Sequence, residues 1–321
     1  MGWLNGKYGQ RDTKVFKIIV NSLIVNKFIK LNTCAHVQAE LEFRQMVKST
    51  NPYDPNEFEK LDLGEYYVHR QSEKNIDYEG YWNGKGNLDP DGVLRDKMQE
   101  RDRALSDHKT ELAYIKSLKP GKFLDVGCGL GWFLSGISDE WERHGIELSA
   151  FAAEKAREYG KIFTGELAKA KYPDAYFDAV ICYHVIEHAD DPVSLIAEIR
   201  RVIKPGGKFI LGTPDFDSGC ARHFGEKFRL LNDHTHISLF GEQGLRNILE
   251  DHGFAVEHVD KPFFETDLFT QENLNRLFDT EKVSPPFYGN IINLYSRALS
   301  KEEAREKLDF QNSCFEKIFG K

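Results

Sequence analysis

The stretch FLDVGCGLGWFL, Phe123–Leu134, decides the fold. An apolar run carries an acid, Asp125, and three glycines follow at alternate positions: Gly127, Gly129 and Gly131. Such a run predicts a buried strand that passes directly into a loop almost free of side chains. Glycine lets the backbone turn sharply and come close to a ligand. In an open α/β sheet, ligands bind beyond the carboxyl ends of the strands, near the point where strand order reverses. The loop is therefore expected to hold a ligand, and the flanking sequence has to say which.

Working outward, the pattern is regular. KFLDVG is the first strand, and GWFLSGISDEW is expected to be helical. RHGIELS (143–149) is a second strand, AFAAEKAREYG a helix that stops at Gly160, and KIFTGEL (161–167) a third strand. YFDAVICYHV (176–185) is a fourth. DDPVSLIAEIRRVIKPGG (190–207) predicts a helix with Asp at its N-cap and Pro192 in its first turn, ended by Pro205-Gly206-Gly207. KFILGTPDF is the fifth strand; 242–253 is a helix, FAVEHVD a sixth strand and GNIINLYSRAL a seventh. Upstream, SDHKTELAYIKSLKPG (106–121) reads as a helix with a Ser cap and a Pro-Gly stop. Alternating strands and helices at this spacing mean an α/β fold, a parallel sheet with helices on both faces. Before it, 33–48 looks helical, 51–56 is a turn-rich break, and 57–92 is aromatic and irregular. The expected organisation is an N-terminal, mainly helical or irregular extension (1–105), the α/β domain (106–300) with an insertion at 214–241, and a tail (301–321).

Composition bounds the function. The 321 residues are 40% hydrophobic and 29% charged, ordinary for a globular chain. A net charge of -8 supplies no global basic field for nucleic acid, so a nucleic-acid partner is disfavoured. Five cysteines, none in a C-x-x-C pair, read as free thiols in a reducing, cytoplasmic setting. No stretch approaches the roughly 18 apolar residues of a membrane span. The segment KVFKIIVNSLIVNKFIK (14–30) is apolar and basic. It suits a subunit contact in a homo-oligomer first, and a peripheral contact with a membrane surface second.

Glu147 lies about 20 residues beyond the glycine loop at the end of the second strand, the place from which an acid binds two ribose hydroxyls. A dinucleotide site would need a third glycine at 132, where the chain has Trp132. Asp125, two residues before the first glycine, is a poor neighbour for pyrophosphate and a good one for an ammonium group. S-adenosylmethionine has a ribose, an ammonium, a sulfonium and no phosphate. Here the sequence resembles the class I S-adenosylmethionine-dependent methyltransferases. The resemblance covers roughly 110–300 and rests on LDVGCGLGWFL, GIELS, TGEL, FDAVICYHVIEH and KPGGKFILGTPDF, in the family's order and spacing. HVIEH and LLNDHTHISLF are similar to the branch that holds quinone-biosynthesis and surface-polysaccharide O-methyltransferases.

The resemblance implies a Rossmann-like, seven-stranded methyltransferase sheet with its last strand antiparallel, and S-adenosylmethionine as cofactor. Carried over by position, Asp125, Gly127, Cys128, Gly129 and Gly131 would face the methionine moiety. Glu147 would hold the ribose and Leu148 flank adenine, with Gly165 and Glu166 at the third-strand end near the adenine. Cys182, Tyr183 and His184 would run beneath the methionine. Gly131 has an alternative role in helix–strand packing, and Cys128 and Cys182 are favoured as small buried residues.

Methyl transfer from a sulfonium requires alignment, and a hydroxyl acceptor must also lose its proton. His184, Glu187 and His188 follow the fourth strand, and His234 and His236 lie in the insertion. Two chemistries compete for this cluster. In one, His184 or His188 is the general base. In the other, His184, Glu187, His188 and His236 bind a divalent metal, an arrangement similar to the E-x-x-E-H motif of small-RNA 3′-terminal methyltransferases. A third role is structural, Glu187 and His188 bracing the turn, and bracing or base catalysis ranks ahead of metal. Tyr66, Tyr67, Tyr78, Tyr81 and Trp82 are taken chiefly as core or interface residues, with a lid as the lesser reading. The expected activity is methylation of a hydroxyl on a sugar, glycan or lipid-linked intermediate. The alternatives are O- or C-methylation of a quinone or small aromatic, and a degenerate cofactor-binding scaffold without activity.

Overall fold

The computed structural model describes residues 61–63, 66–70, 78–82, 87–88, 94–233, 235–262, 270–286 and 290–319. The strands among them are β1 Leu61–Leu63, β2 Val68–Arg70, β3 Asn87–Leu88, β4 Leu94–Arg95, β5 Lys122–Val126, β6 Glu142–Glu147, β7 Lys161–Thr164, β8 Phe177–Tyr183, β9 Ile203–Pro214, β10 Ser238–Leu239, β11 Phe254–Asp260 and β12 Ile291–Ala298. Seven of them form one sheet in the order β11-β12-β9-β8-β5-β6-β7. β5 pairs in parallel with β6 and β8, β6 with β7, and β8 with β9. β12 is antiparallel to both β9 and β11, as expected of the last strand, and it enters between the fifth and sixth. Strand order reverses at β5, which puts the glycine loop at the switch point.

Both faces of the central strands are apolar because helices cover both. Leu124, Val180 and Phe209 pack on one face with Ile196 and Ile199 of the helix Pro192–Val202 and Leu245 and Ile248 of the helix Glu242–Asp251. Their neighbours Phe123, Ala179 and Ile210 point the other way, with Ile115 of the helix Lys109–Ser117 and Phe133 of the helix Trp132–Ser135. The period of two along each strand thus becomes two cores. Asp191 accepts a hydrogen bond from the Ser194 amide, and Pro192 opens the helix, as the sequence predicts.

Several boundaries differ from expectation. The helix after the glycine loop is only Trp132–Ser135, capped at Gly136, where a Cβ would meet Leu105 and Leu112 at 2.8 and 3.0 Å. The next helix is Ala150–Ala156 rather than running to Gly160. Pro205-Gly206-Gly207 do not precede the fifth strand; they lie inside β9 as a bulge. Ile203 pairs with Phe177 and Lys208 with Ala179, so four residues stand opposite one, Asp178. Gly206 takes up the turn with φ +79°.

The compact unit that holds the sheet runs Pro52–Ser300, so the boundary expected near 105 falls inside it. Part of the expected extension is sheet. β2 pairs with β1 and with β10 of the 214–241 insertion, and Val68 packs on the Phe216, Phe228 and Leu239 cluster. These strands span two or three residues, too few to leave a periodic signal. The second unit joins Met1–Asn51 with Lys301–Lys321. Its described part is the helix Lys301–Phe319, where the sequence suggested a tail. The expectations for 14–30, 33–48 and 51–56 lie outside the described residues. Among the described residues, no helix is long and apolar enough to cross a membrane. Cys128, Cys182 and Cys220 are free thiols and buried, and Cys314 is buried.

Candidate active site

The carboxyl ends of β5, β6 and β8 converge on one cradle. Gly127, Gly129 and Gly131 all have positive φ (79°, 53° and 80°), which side chains resist. Gly127 and Cys128 donate their amides to the Ile146 carbonyl at 2.8 and 3.0 Å, folding the loop back onto β6. A Cβ on Gly127 would collide with Val185 at 2.2 Å, and one on Gly131 would meet Ala156 and Tyr159 at 2.9 Å. Gly131 therefore packs loop against helix, one of its two expected roles.

Glu147 ends β6 with its side chain 5% exposed. Oε2 accepts the Gly129 amide and Oε1 the Ser149 amide, each at 2.8 Å. The acid expected to hold a ribose thus also braces the loop, and each oxygen keeps lone pairs for a further donor. Burial holds Glu147 above the ordinary carboxylate range. Asp125, 4% exposed, is pushed up to about 8, by burial first and by Glu147 second. A buried acid in this state gains from a cationic ligand. Leu148 is 43% exposed, an apolar side chain at the cradle's rim of the kind a flat base covers. A ligand with a ribose, an ammonium and an aromatic base fits these residues, as S-adenosylmethionine does.

Other expected contacts are placed differently. Gly165 has φ 136° and donates its amide to the Glu147 carbonyl, so it shapes the rim. Glu166 is exposed and paired with Lys169 at 2.8 Å rather than turned into the cradle. Cys128 and Cys182 are 7% and 0% exposed, and burial raises both thiols. They behave as small core residues. The Tyr183 ring turns under Gly212 and meets the His108 ring edge-on at 4.4 Å.

The histidine cluster sits beyond β8. His184 has φ +54°, a left-handed conformation that costs a non-glycine residue about 1 kcal/mol or more. Its amide bonds to the Gly212 carbonyl, which holds it there. Its Nδ1 lies 2.9 Å from Glu187 Oε1, and 38% of its side chain is exposed. An ionised carboxylate only accepts, so Nδ1 carries the proton and Nε2 offers a lone pair. Glu187 is fully buried, and Thr213 Oγ1 donates to its Oε2 at 2.9 Å. Burial alone would raise its pKa. The hydrogen bond from His184 and the neighbouring imidazoles outweigh that and draw it down to about 2.

His188 Nδ1 lies 2.9 Å from the Thr235 carbonyl, and His236 Nδ1 lies 2.5 Å from the Leu230 carbonyl. A carbonyl can only accept, so both rings are protonated at Nδ1 and present Nε2 lone pairs. Burial lowers the His236 pKa to about 4, so this ring is neutral near pH 7. Glu187, His188 and His236 each offer a ligand atom, all within 4.8 Å of one another. His184 is not part of that trio, so the four-residue metal set read from the sequence resolves into a His184–Glu187 pair and a Glu187, His188, His236 group that share Glu187. His234 lies outside the described residues. The Ile237 amide donates to the Glu187 carbonyl and the Ser238 hydroxyl to the Ala189 carbonyl, pinning the insertion to this turn. Thr213 was missed by sequence reasoning, as were the carbonyls of Leu230 and Thr235. Thr213 lies in an apolar strand, and backbone acceptors have no sequence signature.

A family model described as a methyltransferase domain matches residues 98–259. The chain is 36% identical over 120 residues to the sterol 24-C-methyltransferase ERG6B of Gibberella zeae, covering 34% of this chain and 32% of that protein. It is 36% identical over 110 residues to a ubiquinone biosynthesis O-methyltransferase of Alkalilimnicola ehrlichii, covering 31% and 44%. It is 31% identical over 194 residues to an uncharacterised 37.1 kDa protein in transposon TN4556 of Streptomyces fradiae, covering 53% and 54%. The matches thus span under two thirds of each of these relatives' length. Among solved structures, the fold is shared with a chain from the complex of the Haloferax volcanii Trm112 methyltransferase activator with a methyltransferase. The TM-score is 0.50 and identity 20%, covering 63% of this chain and 92% of that one.

Proposed function

Because the chain belongs to the methyltransferase-domain family, we propose that it methylates a hydroxyl oxygen on a sugar, glycan or lipid-linked acceptor. S-adenosylmethionine is the methyl donor; when bound it supplies an electrophilic methyl group with a neutral leaving group. Glu147 holds its ribose, and Asp125 and the glycine loop face its methionine end, where Asp125 compensates the ammonium. His184 takes the acceptor's proton at Nε2. Glu187 holds the ring in the required tautomer through Nδ1 and stabilises the imidazolium that forms, the role of the acid in any base–orienter pair. Thr213 fixes the other carboxylate oxygen. The observation that supports an oxygen acceptor is this His184–Glu187 pair at 2.9 Å, since a positioned base is needed where a proton must leave the nucleophile.

A metal-assisted reading has one observation in its favour. His188 and His236 both commit Nδ1 to backbone carbonyls, the arrangement that orients imidazole ligands toward a cation. Glu187, His188 and His236 would then hold a divalent ion that lowers the pKa of the acceptor hydroxyl. The likeness to a ubiquinone biosynthesis O-methyltransferase supports a quinone-type phenol as the alternative acceptor, and the sterol 24-C-methyltransferases support a carbon acceptor.

Release of S-adenosylhomocysteine should be followed over a panel of nucleotide sugars, glycolipids, quinones and sterols, before and after chelation. We expect turnover with a hydroxylated glycan or lipid-linked acceptor, retained after chelation. Turnover with a sterol or quinone alone would overturn the acceptor class. Activity lost to chelator and restored by one metal would transfer the chemistry to the Glu187, His188, His236 group. Cofactor binding without turnover on the whole panel would favour the scaffold.

A further inference from the structure

The short helix Tyr78–Trp82 lies against the cradle, and two independent anchors place it there. Trp82 packs directly on Gly129: a Cβ at that glycine would meet indole Cη2 at 2.6 Å and Cζ2 at 2.8 Å. Glu79 receives three hydrogen bonds from the turn after β6. They come from the Ser149 hydroxyl at 3.0 Å, the Ala150 amide at 2.6 Å and the Phe151 amide at 3.2 Å. Ser149 is the residue whose own amide binds Glu147. The helix therefore bridges the two loops that Glu147 ties together from beneath. Farther along, Lys97 and Arg101 meet the helix that follows the loop. Trp132 Nε1 donates to the Lys97 carbonyl at 3.1 Å, and Arg101 Nε to Ser135 Oγ at 3.1 Å. Lys97 also lies 5.6 Å from the Tyr81 ring centroid.

We infer that Tyr78–Trp82 is a fourth wall of the cofactor site, with Trp82 the residue that confines the ligand against the glycine loop and Glu79 the latch that holds the wall in place. This rests on the reading of the cradle as the S-adenosylmethionine site. A wall of this kind sets how long cofactor and product stay bound. Gly129 is then glycine for a reason beyond its positive φ, since a side chain there would displace the indole. Trp82 is a positioning residue, and the proton-transfer groups His184 and Glu187 are not part of this wall.

The test uses the full chain and S-adenosylhomocysteine as probe, with intrinsic fluorescence in stopped flow and calorimetry in parallel. Binding to the wild-type protein should change tryptophan emission, and Trp82→Phe should abolish most of that change while still binding. Trp82→Ala should bind about tenfold more weakly, the scale of one lost aromatic packing contact, through faster dissociation. Glu79→Gln, which keeps one acceptor oxygen, should speed dissociation by a smaller factor. The inference is overturned if wild type binds and Trp82→Ala shows the same affinity, dissociation rate and emission change. If Trp82→Ala does not fold, Trp82→Phe and Glu79→Gln decide: unaltered emission change in the first and unaltered dissociation in the second overturn it. Absence of binding by the wild-type chain removes the cofactor reading itself, a separate outcome.

Discussion

Glu147→Gln strikes the tie between the two loops of the cradle. The native carboxylate accepts the Gly129 and Ser149 amides at 2.8 Å each and is 5% exposed. Glutamine keeps one oxygen and turns an NH₂ group toward the other amide, donor against donor. Losing one charge-assisted bond and leaving a buried donor unpaired costs about 2 to 4 kcal/mol together. Part of this is returned, because burial already holds the carboxylate above its ordinary range and the neutral amide is cheaper to bury. A net loss of about 2 kcal/mol should lower Tm by roughly 4 to 8 °C for a unit of this size. Two ribose hydroxyls also lose their charged acceptor, on the order of 1.5 to 3 kcal/mol, which weakens cofactor binding about tenfold to about 150-fold. Thermal denaturation and calorimetric titration with S-adenosylhomocysteine, well below Tm, measure the two effects separately. A lower Tm with unchanged affinity would make Glu147 a loop brace and refute its ribose role. An unchanged Tm would show that the amide bond lost in the variant contributes no stability. Alanine at this position removes both acceptors and is the poorer probe.

Three further outcomes are expected. His236 is neutral in the fold because burial lowers its pKa to about 4, so its contribution is present above about pH 6.5 and is lost as pH falls toward 4. That shift corresponds to on the order of 3 kcal/mol, and the stability difference between wild type and His236→Gln, from urea unfolding at pH 7.5 and pH 4.5, should change by most of it, since the opposite dependence of Asp125 is common to both. Gly131→Ala should lose about 2 to 4 kcal/mol, since the new methyl meets Ala156 at 2.9 Å and the residue sits at φ +80°; an unchanged denaturation midpoint contradicts the packing role. Glu187→Gln should lower turnover by about 100-fold or more while leaving S-adenosylhomocysteine affinity unchanged, and full turnover would dismiss the His184–Glu187 pair.

The sheet was legible because β5, β8 and β9 carry apolar runs, and because Asp125, the glycines and Glu147 sit at strand ends that topology brings together. Boundaries were less legible where one residue type serves two structures. Pro205-Gly206-Gly207 ends a helix in many chains, but here it forms a bulge inside β9, set by pairing with β8. The helix Tyr78–Trp82 falls in a stretch that reads as irregular because five residues cannot show a helical period, and only tertiary contact to Gly129 and Ser149 gives Trp82 and Glu79 meaning. Glu166 shows the opposite failure. Its position matched the family pattern, but its longer side chain finds Lys169 at the surface. The histidines were visible as residues, yet the grouping of His188 and His236 with Glu187, apart from the His184–Glu187 pair, depends on the carbonyls of Thr235 and Leu230.

The most direct measurement is calorimetric titration of the full chain with S-adenosylhomocysteine at pH 7, in two buffers of different ionisation enthalpy. Asp125, held at about 8, is mostly protonated before binding, and the ligand's ammonium should draw it to the carboxylate. The expected result is one site per chain, with an apparent enthalpy that changes with buffer as up to about one proton is released. Saturable binding without that buffer dependence would contradict the role of Asp125. No saturable heat at millimolar ligand would contradict the cofactor site as a whole.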